Sequence, residues 1–96
     1  MKINPTKRFK RSYKYYAKKH YPMNKIIDCL KAIQENNQLF LKVHKDHKLF
    51  KNFRELHIDR QYNDDWLLIY SFDNKKKELI LVLIDLGTHD NLNRLV

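Results

Sequence analysis

The side chains best suited to acid–base chemistry in this sequence are histidines that fall outside the predicted helices. Four of the five histidines do so: His44, His47, His57 and His89. Imidazole exchanges protons near neutral pH because its unperturbed pKa is about 6.5. Separation along the chain does not tell whether two of these rings meet, so residue type and position alone leave their pairing open.

The spacing of two histidines raises the alternative of a metal site. His44 and His47 are separated by two residues, with Asp46 between them. The sequence has no cysteine pair and no HExxH or DxDxDG pattern, which are the stronger signatures of metal sites. We therefore expect no metal and no cofactor. The competing chemistry is metal-free RNA cleavage, in which a base deprotonates a ribose 2′-hydroxyl, its oxygen attacks phosphorus and an acid protonates the leaving oxygen.

Positive charge is concentrated in the first third of the chain. The formal net charge is +9, and residues 1–31 hold ten Lys or Arg against the single acid Asp28. Such an excess attracts polyanions and binds phosphate backbones without reading sequence. Nucleic acid is thus the favoured partner on charge, and a merely soluble basic protein is the alternative.

The single cysteine and the short apolar segments bear on the compartment. Cys29 cannot form an internal disulfide, and no stretch resembles a signal peptide or a membrane span. We expect a cytoplasmic protein without membrane contact. With 96 residues, 43% of them hydrophobic and 12% aromatic, the chain is expected to form one folded domain over residues 1–96.

Two helices are predicted in the basic third, after a short strand at residues 2–5. The first begins after Thr6, a residue type that caps helices, and runs to about His20. Its spacing places Phe9, Tyr13, Tyr16 and Ala17 on the core side. Its outer face is a basic stripe of Lys7, Arg8, Lys10, Arg11, Lys14, Lys18 and Lys19. The second helix, residues 23–36, places Ile26, Ile27, Leu30 and Ile33 on one side, and Cys29 is interpreted as core.

The hydrophobic period changes to two in the second half of the chain. Residues 39–51 are irregular and are predicted to form a long loop. Strands are predicted at 53–59, 65–72 and 78–86, with a tight turn at 73–76 and the last strand in a central position. Together with residues 2–5 they predict an α+β domain, in which two N-terminal helices pack on a mainly antiparallel four-stranded sheet.

Four segments resemble the YafQ toxins of the RelE/ParE toxin superfamily. They are Lys45-Asp46-His47-Lys48-Leu49, Phe53-Arg54-Glu55-Leu56-His57, Asp65-Trp66-Leu67-Leu68-Ile69-Tyr70 and Leu86-Gly87-Thr88-His89. The resemblance covers about residues 39–93, and the basic helices before them agree in layout. It implies a RelE-like fold and a ribosome-dependent endoribonuclease that cleaves mRNA in the ribosomal A site without a metal.

The resemblance also implies where the site lies. Catalysis is expected from His47, His57, Asp65 and His89. Substrate contacts are expected from Lys45, Lys51, Arg54, Arg60 and Trp66. Ribosomal RNA is expected to bind Lys7, Arg8, Lys10, Arg11, Lys14 and Lys18. For Trp66 a core position fits the strand alternation better than base stacking, and for His57 a structural role in the strand is the alternative.

The resemblance further implies a protein partner. The cognate antitoxin is expected to be DinJ- or RelB-like, acidic or mixed in charge, and to fold as it covers the basic groove. Operator DNA is expected to bind only the toxin–antitoxin complex. No residue of this chain identifies the contacts of the antitoxin.

Asp85 departs from the family pattern. Asp85 lies two residues before Gly87, where family members usually carry an arginine. Losing one donor that stabilises transition-state charge costs on the order of 3 to 4 kcal/mol. Arg54, Arg60 and Lys51 are candidates to replace it, and Arg54→Ala is predicted to lower cleavage more than Arg60→Ala. The alternative is a weakened or inactive toxin-like module that acts only by binding antitoxin and operator DNA.

Overall fold

Five strands and four helices make up the part of the chain that the computed structural model describes, residues 1–75 and 78–92. In chain order they are β1 (Lys2–Pro5), α1 (Lys7–Lys18), α2 (Asn24–Gln34), α3 (Gln38–Val43), β2 (His47–Lys48), β3 (Arg54–Asp59), β4 (Asn63–Lys75), β5 (Glu78–Gly87) and α4 (His89–Leu92). The sheet order is β1-β5-β4-β3-β2, in which β1 is parallel to β5 and the other neighbours are antiparallel.

The predicted α+β class is confirmed, but the four-stranded sheet with two helices is wrong in detail. Strand β2 and helix α3 lie in the segment that was predicted to be a loop, and α4 follows β5. Both elements of the segment are too short to show a period in the sequence. Helix α3 has only six residues, begins after Asn37, whose side chain accepts a hydrogen bond from the Phe40 amide at 3.2 Å, and buries Leu41.

The predicted helices are present, but three residues that were predicted to face the core are exposed. In α1 the side chain of Thr6 accepts from the Phe9 amide at 3.1 Å, as its capping role requires. Phe9 and Tyr16 are buried, whereas Tyr13 and Ala17 are exposed. In α2 the buried stripe consists of Ile26, Cys29, Ala32 and Ile33, while Ile27 is 57% exposed. The core interpretation of Cys29 is confirmed. None of the described helices is long and apolar enough to cross a membrane.

Strand β4 separates two apolar clusters. Trp66, Leu68 and Tyr70 point towards α1 and α2 and form the main core with them. Leu67 and Ile69 point to the other face, where they form a smaller cluster. Strand β5 lies between β1 and β4, so its predicted central position is confirmed. Residues 73–75 of the predicted turn belong to β4, and residues 76–77 lie outside the described residues.

Candidate active site

Three histidines surround one buried carboxylate on the sheet face that points away from α1 and α2. Glu55 is 6% exposed, and its Oε1 lies 3.6 Å from Nε2 of His47, 3.7 Å from Nε2 of His57 and 3.6 Å from Nε2 of His89. Glu55 and His57 share a face because they are two residues apart on β3. His47 is the cross-strand partner of Glu55 on β2, and His89 begins α4. We call these four residues the histidine cluster.

The Nδ1 atom of each histidine in the cluster is held by an acceptor. His47 Nδ1 donates to the Lys45 carbonyl at 2.7 Å, His57 Nδ1 donates to the Asp64 carbonyl at 2.8 Å, and His89 Nδ1 donates to the Asp65 carboxylate. A carbonyl oxygen only accepts, so Nδ1 of His47 and His57 carries the proton and Nε2 of the neutral ring has the free lone pair. The backbone and the carboxylate therefore direct all three Nε2 atoms towards one volume.

His89 and Asp65 form an ion pair that shifts the pKa values of the two groups in opposite directions. The hydrogen bond that His89 donates to Asp65 raises the pKa of His89, and the nearby carboxylate of Glu55 acts in the same direction against the effect of burial. The same hydrogen bond from His89 lowers the pKa of Asp65. Asp65 therefore stays ionised, and His89 keeps its proton to higher pH than a free histidine. This favours His89 as the acid and Asp65 as the residue that orients it.

A second polar network holds the segment that carries His47. The Asp46 carboxylate accepts hydrogen bonds from the Tyr70 hydroxyl and from Arg54 Nη2, the latter at 2.6 Å. The His57 amide donates to the His44 carbonyl at 2.9 Å, and His44 Nδ1 donates to the His57 carbonyl at 2.6 Å. These bonds attach residues 44–47 to β3 and β4, so the His47 ring approaches Glu55 on a fixed backbone.

Two residues of the site were missed by the sequence reasoning. Glu55 is at the centre of the cluster, and its position two residues before His57 on a predicted strand was the signal that could have found it. Asp64 holds His57 with its carbonyl and also with Oδ1, at 3.0 Å, and Arg60 Nη1 donates to both oxygens of Asp64 at 2.8 Å. The hydrogen bond from Arg60 lowers the pKa of Asp64. Asp64 had no sequence signal, because a β-bulge after His57 decides its approach.

Two of the expected substrate contacts lie on the face of the sheet that the helices cover, away from the histidine cluster. Arg54 is the cross-strand partner of Tyr70, so its side chain lies on the face covered by the helices, where it binds Asp46. Trp66 is 0% exposed and its ring packs 5.7 Å from Tyr16 and 4.9 Å from Tyr21 between ring centroids. A ring so buried has no face on which a base can stack, so the core position holds for Trp66.

The other three expected substrate contacts are Arg60, Lys45 and Lys51, and they are connected to the histidine cluster in different ways. Arg60 is linked to His57 through Asp64, whereas Lys45 contributes its carbonyl to His47. Lys51 is exposed between β2 and β3, and both lysines have a φ of 54°. Of the three cations proposed to compensate for Asp85, only Arg60 is thus tied to the cluster. This geometry favours a larger effect of Arg60→Ala than of Arg54→Ala, the opposite of the order predicted from the sequence.

Asp85 belongs to the packing of α1 against β5. Its side chain is buried, accepts a hydrogen bond from Arg8 Nε at 2.6 Å, and also accepts from the Ser12 hydroxyl and from the Leu86 amide at 2.8 Å. The Asp85 carboxylate is therefore paired with Arg8 and attaches α1 to the sheet. Arg8 is engaged by this pair. The other expected contacts to ribosomal RNA are exposed: Lys7, Lys10, Arg11, Lys14 and Lys18.

The histidine cluster has a geometry that also suits a metal ion. Glu55, His57 and His89 each place one ligand atom within 4.8 Å of the others. Tetrahedral zinc ligands at about 2.0 to 2.2 Å from the ion lie roughly 3.3 to 3.6 Å apart, close to the 3.6 to 3.7 Å between Glu55 Oε1 and the imidazole nitrogens. The acceptors on Nδ1 resemble the outer partners of metal-bound histidines. The residues thus fit a divalent ion as well as proton transfer.

Comparison with known protein families gives one match, to the family described as the bacterial toxin of type II toxin–antitoxin systems, YafQ, over residues 1–94. The chain belongs to the YafQ family. The family is part of the RelE superfamily, so the resemblance carried by the four motifs is confirmed. No curated protein sequence matched the chain.

Solved structures of YafQ proteins agree with this fold over nearly the whole chain. The toxin in the DinJ–YafQ complex of E. coli is 30% identical, with a TM-score of 0.75 and 94% of each chain covered. YafQ from E. coli strain BL21(DE3) is 29% identical, with a TM-score of 0.76 and the same coverage. A metal-bound toxin from Helicobacter pylori is 26% identical, with a TM-score of 0.78, covering 96% of this chain and 98% of its own.

Proposed function

We propose that this YafQ-family toxin is a ribosome-dependent endoribonuclease that cleaves mRNA in the ribosomal A site and thereby inhibits translation. The observation that carries the proposal is the convergence of three imidazole Nε2 atoms on the buried carboxylate of Glu55. Two protonatable groups on either side of one phosphate are what transfer of a 2′-hydroxyl proton and protonation of a leaving oxygen require. The cluster supplies both.

The cleavage step assigns different roles to the three histidines. His57 Nε2 takes the proton of the ribose 2′-hydroxyl, the 2′-oxygen bonds to phosphorus, and the bond from phosphorus to the 5′-oxygen breaks. His89 donates its proton to that 5′-oxygen, which leaves a 2′,3′-cyclic phosphate and a 5′-hydroxyl. The two rings lie 5.9 Å apart between centroids, so both can reach oxygens of one phosphate that lies beside them. His47, half exposed, contacts the phosphate oxygens.

Two carboxylates support these roles without reacting. Glu55 stabilises positive charge on whichever imidazole holds the proton during the cycle, because Oε1 faces all three rings. Asp65 keeps the His89 imidazolium oriented, since its hydrogen bond fixes Nδ1 and leaves Nε2 towards the substrate. Arg60 supplies positive charge next to Asp64 and His57. Oriented cations and donors of this kind stabilise the charge that develops on phosphorus oxygens.

The basic stripe of α1 provides the attachment to the ribosome. Apart from Arg8, which is paired with Asp85, its lysines and arginines face solvent, where they can contact a phosphate backbone without reading bases. We propose that this stripe binds ribosomal RNA while the histidine cluster meets the mRNA. The protein would then act in the cytoplasm, where both are present.

The partner proposed for this toxin is a DinJ- or RelB-like antitoxin. The E. coli relative is described in complex with DinJ, and the positive charge of this chain suits an acidic or mixed partner that neutralises it. Operator DNA would be bound by the toxin–antitoxin complex and not by the toxin alone. Expression of the toxin without its antitoxin should therefore stop growth.

We propose that cleavage itself needs no metal. The Helicobacter pylori toxin of similar fold is described as metal-bound, and the cluster of this chain fits a divalent ion. An ion on the Nε2 atoms would occupy the lone pairs that the proton transfers use. A metal would thus inhibit cleavage, and a chelator would leave it unchanged or raise it.

The test is primer-extension mapping of a reporter mRNA with the purified toxin, with and without ribosomes. The toxin is used as purified or after treatment with EDTA, which is dialysed away before the ribosomes are added because they need Mg²⁺. Wild type should cut only when ribosomes are present, and His89→Ala should lower cleavage by about 10²- to 10⁴-fold, the usual contribution of a positioned acid or base. Asp90→Ala, at the exposed neighbouring position of α4, is the matched control and should cut like wild type.

The outcomes separate the proposal from a second function. Cuts that persist in His89→Ala, or that EDTA abolishes, would contradict the mechanism. A folded wild type that never cuts and does not stop growth would instead favour a toxin-like module that acts by binding antitoxin and operator DNA.

A further inference from the structure

Helix α4, which carries His89, is too short to hold its own position. It has four residues, His89–Leu92, and a helix of one turn is not stable in water without tertiary contacts. Within the helix, the Leu92 amide donates to the Thr88 carbonyl at 2.9 Å. The place of His89 in the histidine cluster is therefore set by contacts between α4 and the sheet.

The two ends of α4 are attached to the sheet by different contacts. At the first residue, the amide and Nδ1 of His89 both donate to Asp65 Oδ1, the amide at 3.2 Å. At the last residue, Leu92 is 7% exposed and packs in the smaller apolar cluster with Leu67 and Ile69. His89 and Leu92 are three residues apart, so both side chains lie on the side of the helix that faces the sheet.

The register of the sheet places the Leu92 contact beside His57. Leu67 on β4 is the cross-strand partner of His57 on β3 and of Gly87 on β5, so these residues form one row across the sheet. Directly opposed residues share a face of the sheet, and on that face the Leu92 side chain lies against Gly87. The row therefore connects His57, through apolar contacts, to the helix that carries His89.

Leu92 fits at this place because position 87 has no side chain. A Cβ at Gly87 would lie 3.1 Å from both Cγ and Cδ2 of Leu92, closer than the roughly 3.5 to 4.0 Å at which carbon atoms attract each other. Leu92 would have to give way by a few tenths of an ångström. The φ of Gly87 is not positive, so alanine suits the backbone and its methyl group adds mainly this contact.

We propose that Gly87 and Leu92 are positioning residues. Their contact sets the distance between the rings of His57 and His89, and thereby the rate of cleavage. The ring centroids lie 5.9 Å apart, and Nε2 of each ring lies 3.6 to 3.7 Å from Glu55 Oε1. Proton transfer requires a distance of about 2.6 to 3.2 Å to the substrate atom, so a shift of α4 moves one proton site and leaves the other. The inference rests on the proposed RNA cleavage and adds two residues that act only through His89.

The test is a double-mutant cycle on the two positions. Gly87→Ala adds the methyl group, Leu92→Ala removes both atoms that the methyl group would meet, and the double variant combines the changes. Leu79→Ala, at a 42% exposed residue near the opposite end of β5, is the matched control for the loss of a leucine side chain. Cleavage of mRNA on programmed ribosomes gives kcat and KM. Long-range ¹H–¹⁵N NMR spectra of the imidazole rings report the hydrogen bonds of each histidine without cleavage.

The expected result is a lower kcat in both single variants. Gly87→Ala should lower kcat by about 10- to 100-fold, in line with the cost of misplacing a reacting group by up to about 1 Å. KM should be unchanged, because α1 and not α4 provides the proposed attachment to the ribosome. The ¹⁵N signals of His89 should shift more than those of His47 and His57, whose Nδ1 atoms bond to carbonyls outside α4. In the Leu92→Ala background, Gly87→Ala should have no further effect.

Three results would overturn the inference. The first is a Gly87→Ala variant that matches wild type in kcat and in the His89 signals, because α4 then does not follow the contact. The second is an equal further loss of kcat in the Leu92→Ala background, because the methyl group then acts elsewhere. If the melting curve shows that Gly87→Ala does not fold, Leu92→Ala decides, and a wild-type kcat in that variant is the third. Leu79→Ala should behave like wild type in both assays.

Failure of the proposed nuclease function would give a different pattern. If wild type never cleaves, that function fails, and the spectra alone decide whether the contact positions His89. A shift of the His89 signals in Gly87→Ala that is absent in the Leu92→Ala background supports the positioning role. Unchanged His89 signals reject it.

Discussion

Two polar networks lie back to back on β3 and differ in how well their charges are satisfied. Arg54 and Glu55 are adjacent in sequence and point to opposite faces of the sheet. On the helix side, Asp46 is bonded to Arg54 and to Tyr70, so the charges cancel within hydrogen-bond distance. On the other side, Glu55 faces three imidazole nitrogens at 3.6 to 3.7 Å, beyond a good hydrogen bond.

This difference indicates that the first network stabilises the fold and that the second is available to a substrate. A network whose donors and acceptors are all paired stabilises one arrangement and has nothing to offer a substrate. A buried carboxylate surrounded by unpaired imidazole nitrogens keeps its proton sites available, and buried groups of this kind cluster at functional sites. We therefore expect substitutions around Asp46 to lower mainly the stability of the fold. Substitutions around Glu55 should lower mainly the rate of cleavage.

The largest expected contrast is between the two carboxylates at the centres of the networks. Glu55→Gln should lower cleavage by about 10²-fold or more, because no charge then supports the imidazolium forms, and should leave the melting temperature near that of wild type. Asp46→Asn should lower the free energy of unfolding by about 1 to 3 kcal/mol, because Arg54 loses its charged acceptor. Thermal melting and cleavage rates of both variants check this prediction. If both variants lose stability and cleavage to the same extent, the two networks do not differ in function.

A pH profile sharpens the assignment of the acid. Asp65→Asn removes the hydrogen bond that raises the pKa of His89, so the alkaline limb of the cleavage profile should move to lower pH. Because the folded-state pKa of His89 is raised, this ion pair contributes stability below the unfolded pKa and loses it as the pH rises through the folded pKa. Cleavage rates between about pH 5 and pH 9 measure the limb. An unchanged limb would show that another group is the acid.

The smallest expected contrast is between two arginines. Arg60→Ala should lower cleavage several-fold, because Asp64 then holds His57 less firmly, with little change in stability. Arg54→Ala should lower the free energy of unfolding by about 1 kcal/mol, a value reduced for the partial exposure of its side chain. Cleavage should fall less in that variant than in Arg60→Ala, because Arg54 reaches the cluster only through the segment that carries His47. Cleavage assays and urea denaturation of the two proteins decide between this order and the one expected from sequence.

The elements of the fold were predictable where the hydrophobic period was long enough. Strands β3, β4 and β5 and helices α1 and α2 have patterns over six or more residues, so their positions were predicted within a few residues. Helix α3 and strand β2 were not predictable. Six residues cover less than two turns of a helix with a period of 3.6, and two residues cover only one period of a strand. The exposed side of α2 was assigned wrongly because Ile27 and Cys29 are both apolar, and only packing decides which of them faces the sheet.

The sequence alone determined the family and the basic helix, because motifs and charge depend on residue type and order. It also supplied His47, His57, Asp65 and His89 as candidate catalytic residues. The central role of Glu55, the link from Arg60 through Asp64 to His57, and the withdrawal of Arg54 and Trp66 from the site were decided by the tertiary structure. Their physical reason is the sheet: alternation sends adjacent residues to opposite faces, a bulge changes that alternation locally, and pairing of distant strands sets which side chains meet.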